Sequence, residues 1–183
     1  MRVTPLFAGI RTAQCVLCVS GLLVWFVPAP LRAQTSDGAS VFVSGRGGFN
    51  SQAVPDGVSG ASFGAGASFG AFVASQWAVE FEAWIPGQIE GSRVRNRVHL
   101  FSGSALKFFN DERRGPYMLF GLTEARVEYG RSSSDVAGSI QLGVGGAIRL
   151  TERTWFAPEL RLNVVDGGAF IFRPNAGFLY AFN

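Results

Sequence analysis

The chain has 183 residues, including 24 glycines and 17 phenylalanines, and only 16% of its residues are charged. Both cysteines, Cys15 and Cys18, and three of the 16 basic residues precede residue 34, which leaves 13 basic against 13 acidic residues beyond that point. This remainder can form neither a disulfide nor a cysteine metal site, and its neutral charge gives no support to nucleic-acid binding. Its length of about 150 residues is typical of a single domain.

The first 33 residues have the layout of a secretory signal peptide. Arg2 and Arg11 precede an apolar run from Cys15 to Val27, and Pro28-Ala29-Pro30-Leu31-Arg32-Ala33 follows it. We therefore expect residues 1–33 to be a signal peptide cleaved after Ala33, and residues 34–183 to be the mature domain. The alternative is a permanent membrane anchor, which the run of about 13 residues disfavours because a spanning helix needs roughly 20.

The rest of the chain alternates apolar residues with small or polar ones, a period of two that is typical of β-strands. Eight segments follow this pattern: 39–50, 60–74, 77–86, 97–109, 116–130, 139–150, 154–165 and 169–182. Nearly all reach the length of about 9–11 residues that crosses the hydrocarbon core when tilted. Links at 75–76, 111–115 and 152–153 are short, whereas those at 51–59, 87–96 and 131–138 are longer. This order predicts an all-β, eight-stranded antiparallel up-and-down transmembrane β-barrel with both termini in the periplasm.

One face of nearly every strand is free of charge, and we assign that face to lipid. In the segment 116–130 the assignment places Tyr117 and Leu119 outward, because the opposite face carries several charges. The interior is then predicted to contain Arg46, Glu80, Glu82, His99, Lys107, Glu124, Arg126, Glu128, Arg149, Glu159, Arg161 and Arg173. A soluble sandwich or lipocalin-like barrel would also alternate, so alternation alone leaves that alternative open.

The last strand carries the most specific motif. Ala176, Phe178, Tyr180 and Phe182 share one aromatic face. The stretch resembles the C-terminal insertion signal of bacterial outer-membrane barrels, with Asn175, Gly177, Tyr180 and Phe182 at its four defining positions. It departs from the usual pattern in that Asn183 follows the final aromatic residue.

The mature chain as a whole resembles the small OmpA/OmpX-like outer-membrane β-barrels. The resemblance implies export through the secretory pathway and an integral place in the bacterial outer membrane. It also implies contact with outer-membrane lipid and lipopolysaccharide, help from the barrel-assembly machinery during insertion, and a monomer.

The predicted interior charges nearly balance, and eight strands enclose a bore about the size that their own side chains fill. We therefore expect an ion-pair network that closes the interior, and a structural or surface-interaction role such as membrane integrity, adhesion or host contact. The alternative is a narrow channel for ions or small solutes. A third possibility is a lipid-modifying enzyme, since a few of the eight-stranded barrels that the chain resembles are lipid A deacylases or acyltransferases.

Catalysis by a hydroxyl nucleophile needs a histidine within hydrogen-bond reach. His99 is the only histidine, and Ser102 and Ser104 project from the opposite face of its strand. Ser62 or Ser68 on another strand is a conceivable partner. We predict no catalytic residue, no cofactor and no metal site.

The 87–96 link is the remaining candidate for recognition. Arg93 and Arg95 lie in it and Arg97 follows it directly. Guanidinium groups near the outer rim are able to bind lipopolysaccharide phosphates through paired hydrogen bonds. The alternative interpretation is a solvated polar loop.

Overall fold

The protein forms a closed β-barrel of eight antiparallel strands. The computed structural model describes residues 40–53, 60–86, 96–110, 112–129, 133–165 and 169–182. The strands are β1 (Val41–Ala53), β2 (Gly60–Ala74), β3 (Trp77–Pro86), β4 (Asn96–Phe108), β5 (Gly115–Tyr129), β6 (Ser133–Arg149), β7 (Thr154–Val165) and β8 (Ala169–Phe182). Each strand pairs with its neighbours in the chain, and β1 pairs with β8. The predicted up-and-down topology is confirmed.

The predicted signal peptide, residues 1–33, lies outside the described residues. Within the described ranges, no helix is long and apolar enough to cross a membrane.

The predicted long link at 131–138 is wrong. β6 begins at Ser133 and pairs with β5 from Ser133 opposite Tyr129 onward. Backbone pairing in this hairpin continues through Ser134 and Asp135, whose polar side chains have a loop-like composition. The alternation of short and long links therefore fails at this hairpin, although the strand order that it predicted is correct.

The outer face carries a belt of exposed apolar side chains. Its members include Phe49, Phe63, Phe69, Phe81, Ile85, Phe101, Phe120, Ile140, Leu142, Val144, Ile148, Leu160, Phe172, Phe178 and Phe182. A soluble protein rarely exposes so large an apolar surface, whereas a barrel in a bilayer requires one. The apolar exterior therefore indicates a membrane-spanning barrel and disfavours the soluble alternative.

The interior is layered. We call the end of the barrel that carries the β2–β3, β4–β5 and β6–β7 links the short-turn end. An apolar cluster, the short-turn layer, fills the lumen at this end. This short-turn layer contains Phe42, Phe72, Ala78, Leu106, Phe108, Tyr117, Leu119, Ala147, Leu179 and Ala181. We call the opposite end the far end. A smaller apolar cluster, the far layer, lies toward it and contains Trp84, Leu100, Ala125 and Ile171. Polar side chains occupy the space between the two layers.

The faces predicted for β4 and β5 are wrong. Tyr117 and Leu119 are buried in the short-turn layer instead of facing lipid. Four side chains predicted inside by parity lie on the outer face: His99, Lys107, Glu124 and Arg126. Because the interior is itself partly apolar, both faces of β5 are apolar near the short-turn end, and polarity cannot tell them apart. The outward charges lie toward the strand ends, where headgroups and water replace hydrocarbon.

Candidate functional site

Six of the predicted interior charges come together in the lumen and form what we call the charge cluster. Its members are Arg46 on β1, Glu80 and Glu82 on β3, Glu159 and Arg161 on β7, and Arg173 on β8. None is more than 5% exposed. Three guanidinium groups face three carboxylates, so the cluster is formally neutral.

Strand periodicity explains how the cluster is assembled. Glu80 and Glu82 are two residues apart on β3, as are Glu159 and Arg161 on β7, so each pair projects from a single face. β3 and β7 are not neighbours in the barrel. The bonds between Arg161 and the two β3 carboxylates therefore cross the lumen.

Arg161 is the centre of the cluster. Its Nε donates to Glu159 Oε2 at 2.6 Å, its Nη1 to Glu82 Oε2 at 3.0 Å and its Nη2 to Glu80 Oε1 at 3.2 Å. All three nitrogens of one planar guanidinium thus bind different carboxylates, a geometry that lysine cannot reproduce.

Arg46, on β1, binds the same three carboxylates. Its Nη1 and Nη2 reach the two oxygens of Glu80 at 2.5 and 3.2 Å, and Nη2 lies 3.3 Å from Glu159 Oε1. The Tyr117 hydroxyl also donates to Glu159 and so joins the cluster to the short-turn layer. Two-point pairing of this kind is stronger and more directional than a single ion contact.

Arg173 connects the cluster to the far layer. Its Nη2 donates to Glu82 Oε2 at 2.8 Å, and its Cζ lies 4.9 Å from the centroid of the Trp84 ring. Among the described residues its Nε and Nη1 have no hydrogen-bond partner. Gly64 and Gly66 make room for the indole, because a Cβ at either position would lie 2.7 Å from a Trp84 ring atom.

The opposite half of the lumen is polar but uncharged. Ser104 Oγ donates to Gln141 Oε1 at 2.7 Å, and Gln141 Nε2 donates to Asn163 Oδ1 at 3.3 Å. Thr123 Oγ1 donates to Ser102 Oγ at 3.0 Å. The pattern of charges in the sequence does not predict this network, because none of its members is charged. The signal that could have found it is the alternation of Gln141 with apolar residues on β6.

The other predicted interior charges whose side chains the structure describes lie outside the cluster. Arg149 is the last residue of β6 and is exposed, and its Nε donates to the Thr151 carbonyl at 2.9 Å. On the outer face, Arg126 Nη2 lies 3.9 Å from Glu124 Oε1. The described part of the chain does not include the side chain of Glu128.

The catalytic pairing that was conceivable from the sequence is ruled out. His99 faces outward from β4, whereas Ser62 and Ser68 are buried inside, so the barrel wall separates them. In the described ranges, no group of His, Cys, Asp and Glu side chains could hold a metal ion.

The terminal motif has an inner and an outer half. Asn175 and Gly177 face the lumen, and Tyr180 and Phe182 face outward with their ring centroids 5.0 Å apart. Gly177 pairs with Arg46, and a Cβ at this position would lie 2.6 Å from Arg46 Cγ. This glycine therefore gives the arginine of the charge cluster its space.

The arginines proposed to contact lipopolysaccharide cannot be placed. Arg93 and Arg95 lie outside the described residues, as does the side chain of Arg97.

Solved structures with the same fold are small outer-membrane barrels. Neisserial surface protein A is 19% identical over 80% of this chain and 100% of its own, with a TM-score of 0.67. The attachment invasion locus protein Ail of Yersinia pestis, in complex with the heparin analogue sucrose octasulfate, is 15% identical over 79% of this chain and 99% of its own, with a TM-score of 0.59. The N-terminal β-barrel domain of Pseudomonas aeruginosa OprF is 17% identical over 78% and 97%, with a TM-score of 0.58. No protein-family model and no curated protein sequence matches the chain. The fold and the apolar belt together indicate an integral barrel of the bacterial outer membrane.

Proposed function

We propose that this outer-membrane β-barrel, which has the fold of the small OmpA/OmpX-like barrels, is a closed barrel with a structural or surface-interaction role. The observation that carries the proposal is the bonding of Arg161 to Glu80 and Glu82 across the lumen, in addition to Glu159 on its own strand. Because the bonds to Glu80 and Glu82 join β7 to β3 on the opposite side of the barrel, the Arg161 side chain blocks the bore and stiffens the wall.

The layering supports closure. A water path would have to pass the short-turn layer, the charge cluster and the far layer in turn. Two of these are apolar, and the third is a neutral cluster whose carboxylates are all bound by arginine. Eight strands leave little room for water beside such side chains.

The surface role is supported by the kind of protein that shares the fold. One neighbour is named a surface protein and another an attachment invasion locus protein. In this chain such a role would belong to the far-end links and to the proposed lipopolysaccharide contacts Arg93, Arg95 and Arg97, next to the outer leaflet. Membrane integrity, adhesion and host contact are the roles that this arrangement suits.

Conduction separates the closed barrel from the channel alternative. Purified protein reconstituted in planar bilayers is expected to show no steady open level, because its lumen is filled. The matched control is Arg126→Ala, which removes a charge from the outer face and should leave the recording silent. A steady conductance in the wild type would contradict the closed barrel and favour the channel.

We further propose that the barrel-assembly machinery recognises Tyr180 and Phe182 during insertion. Phe182→Ser removes the terminal aromatic residue, which is 49% exposed on the outer face, and should lower the yield of folded barrel in cells. Deleting Asn183 should leave the yield unchanged. Heat-modifiability on gels measures the folded fraction, and equal yields from Phe182→Ser and wild type would contradict the role.

A further inference from the structure

Lys107 stands at the edge of the apolar belt. It is the only lysine of the chain, and it lies on the outer face of β4, one residue before the strand ends at the short-turn end. Its ammonium donates to Gln76 Oε1 and lies 4.9 Å from the centroid of the Trp77 ring. Lysine and tryptophan at the end of a membrane strand are typical of the headgroup level. The charge is therefore held at one place on the membrane surface.

An apolar groove lies on the outer wall beside this lysine. Its volume is about 560 Å³. It crosses strands β5 to β8, and the outward-facing side chains in its lining include Met118, Phe120, Leu142, Val144, Leu160 and Phe172. A groove of this composition suits a hydrocarbon chain.

The strand register connects the lysine to the groove. Lys107 pairs with Met118, Met118 with Val144, and Val144 with Leu160. Lys107 is near the end of its strand, whereas Leu160 is near the middle of β7, so this row climbs from the membrane surface into the wall. Three steps of about 4.8 Å between strands give a row of roughly 14 Å. One leaflet of the hydrocarbon core is about 15 Å thick.

We propose that Lys107 and the groove bind one anionic phospholipid from the leaflet at the short-turn end. The ammonium pairs with the headgroup phosphate, and one acyl chain follows the row from Met118 toward Phe172. Charge complementarity selects the headgroup, and the apolar lining selects the chain. Gln76 and Trp77 hold the ammonium in place for the headgroup.

The headgroup is tested in nanodiscs of phosphatidylcholine that contain a trace of phosphatidylglycerol with a photoreactive acyl chain. After illumination, peptide mapping should find the label on β5 to β8. Lys107→Gln should lower labelling about fivefold, the effect of one basic residue near an anionic surface. Lys107→Arg should retain labelling, and Arg126→Gln at the far end should not change it. Equal labelling of wild type by photoreactive phosphatidylcholine and phosphatidylglycerol would overturn the headgroup assignment, whether or not the variants fold.

The groove is tested by filling it. Val144→Trp places a large ring in the groove and should lower labelling, whereas Ile140→Trp, on the same face of the same strand but outside the groove lining, should not. An excess of inorganic phosphate should leave the label in place, because the acyl chain contributes to binding. Displacement by phosphate, or label spread evenly around the barrel, would overturn the proposed site.

Discussion

Replacing Arg161 with methionine is expected to lower the free energy of unfolding by about 3–5 kcal/mol, the usual cost of removing one partner of a buried ion pair. The variant leaves Glu80, Glu82 and Glu159 facing only two arginines in a region that excludes water. Urea titration of the barrel in lipid vesicles, followed by tryptophan fluorescence, measures the loss.

Two matched variants separate charge imbalance from lost packing. Arg149→Met removes an exposed arginine at the end of β6 and should change stability by less than about 0.5 kcal/mol. Adding Glu159→Gln to Arg161→Met restores the balance of charge, and glutamine still accepts from Tyr117, so part of the stability should return. If the two arginine variants lose equal stability, the cluster does not hold the barrel together.

Placing arginine at mid-height on the lipid-facing surface should lower the free energy of unfolding nearly as much as Arg161→Met does. Val144 is 55% exposed on the outer face of β6, and its partners on the neighbouring strands are the outward-facing apolar residues Met118 and Leu160. Val144→Arg puts a charge near the bilayer midplane, where the cost is about 2–4 kcal/mol. Folding into vesicles, followed by urea titration, measures this penalty.

Gly138 provides the control for Val144 on the same face of the same strand. It pairs with Glu124 toward the far end, and a Cβ there would meet no atom within 4 Å. Gly138→Arg should cost less than about 1 kcal/mol, because the penalty falls near the interface and Glu124 offers a partner. Equal penalties at Val144 and Gly138 would contradict the assigned position of the belt.

The strands and their order could be predicted from the sequence because period-two alternation is a local property. β2 and β8 illustrate this, since Phe63, Phe69, Phe178 and Phe182 face outward as their parity predicts. The link before β6 could not be predicted in this way. Ser133 to Asp135 have loop-like side chains, but their backbone pairs with β5 across the hairpin.

The charge cluster could be predicted where one face of a strand is polar and the other apolar. On β3 and β7 the glutamates and Arg161 alternate with apolar residues, so their inward direction follows from parity. On β5 this rule fails, because Leu119 and Tyr117 pack inside while Met118 and Phe120 face out. Which apolar set faces inward depends on the short-turn layer, to which several strands contribute.

The sequence by itself determined that this protein is an eight-stranded barrel with an aromatic closing strand, because strand length and alternation depend only on neighbouring residues. Only the tertiary structure decided which charges meet. Arg161 reaches Glu80 and Glu82 across the lumen, whereas Lys107, Glu124 and Arg126 lie outside. The physical reason is that closure of the barrel brings distant strands to face each other, and the interior then fills by shape and by charge balance together.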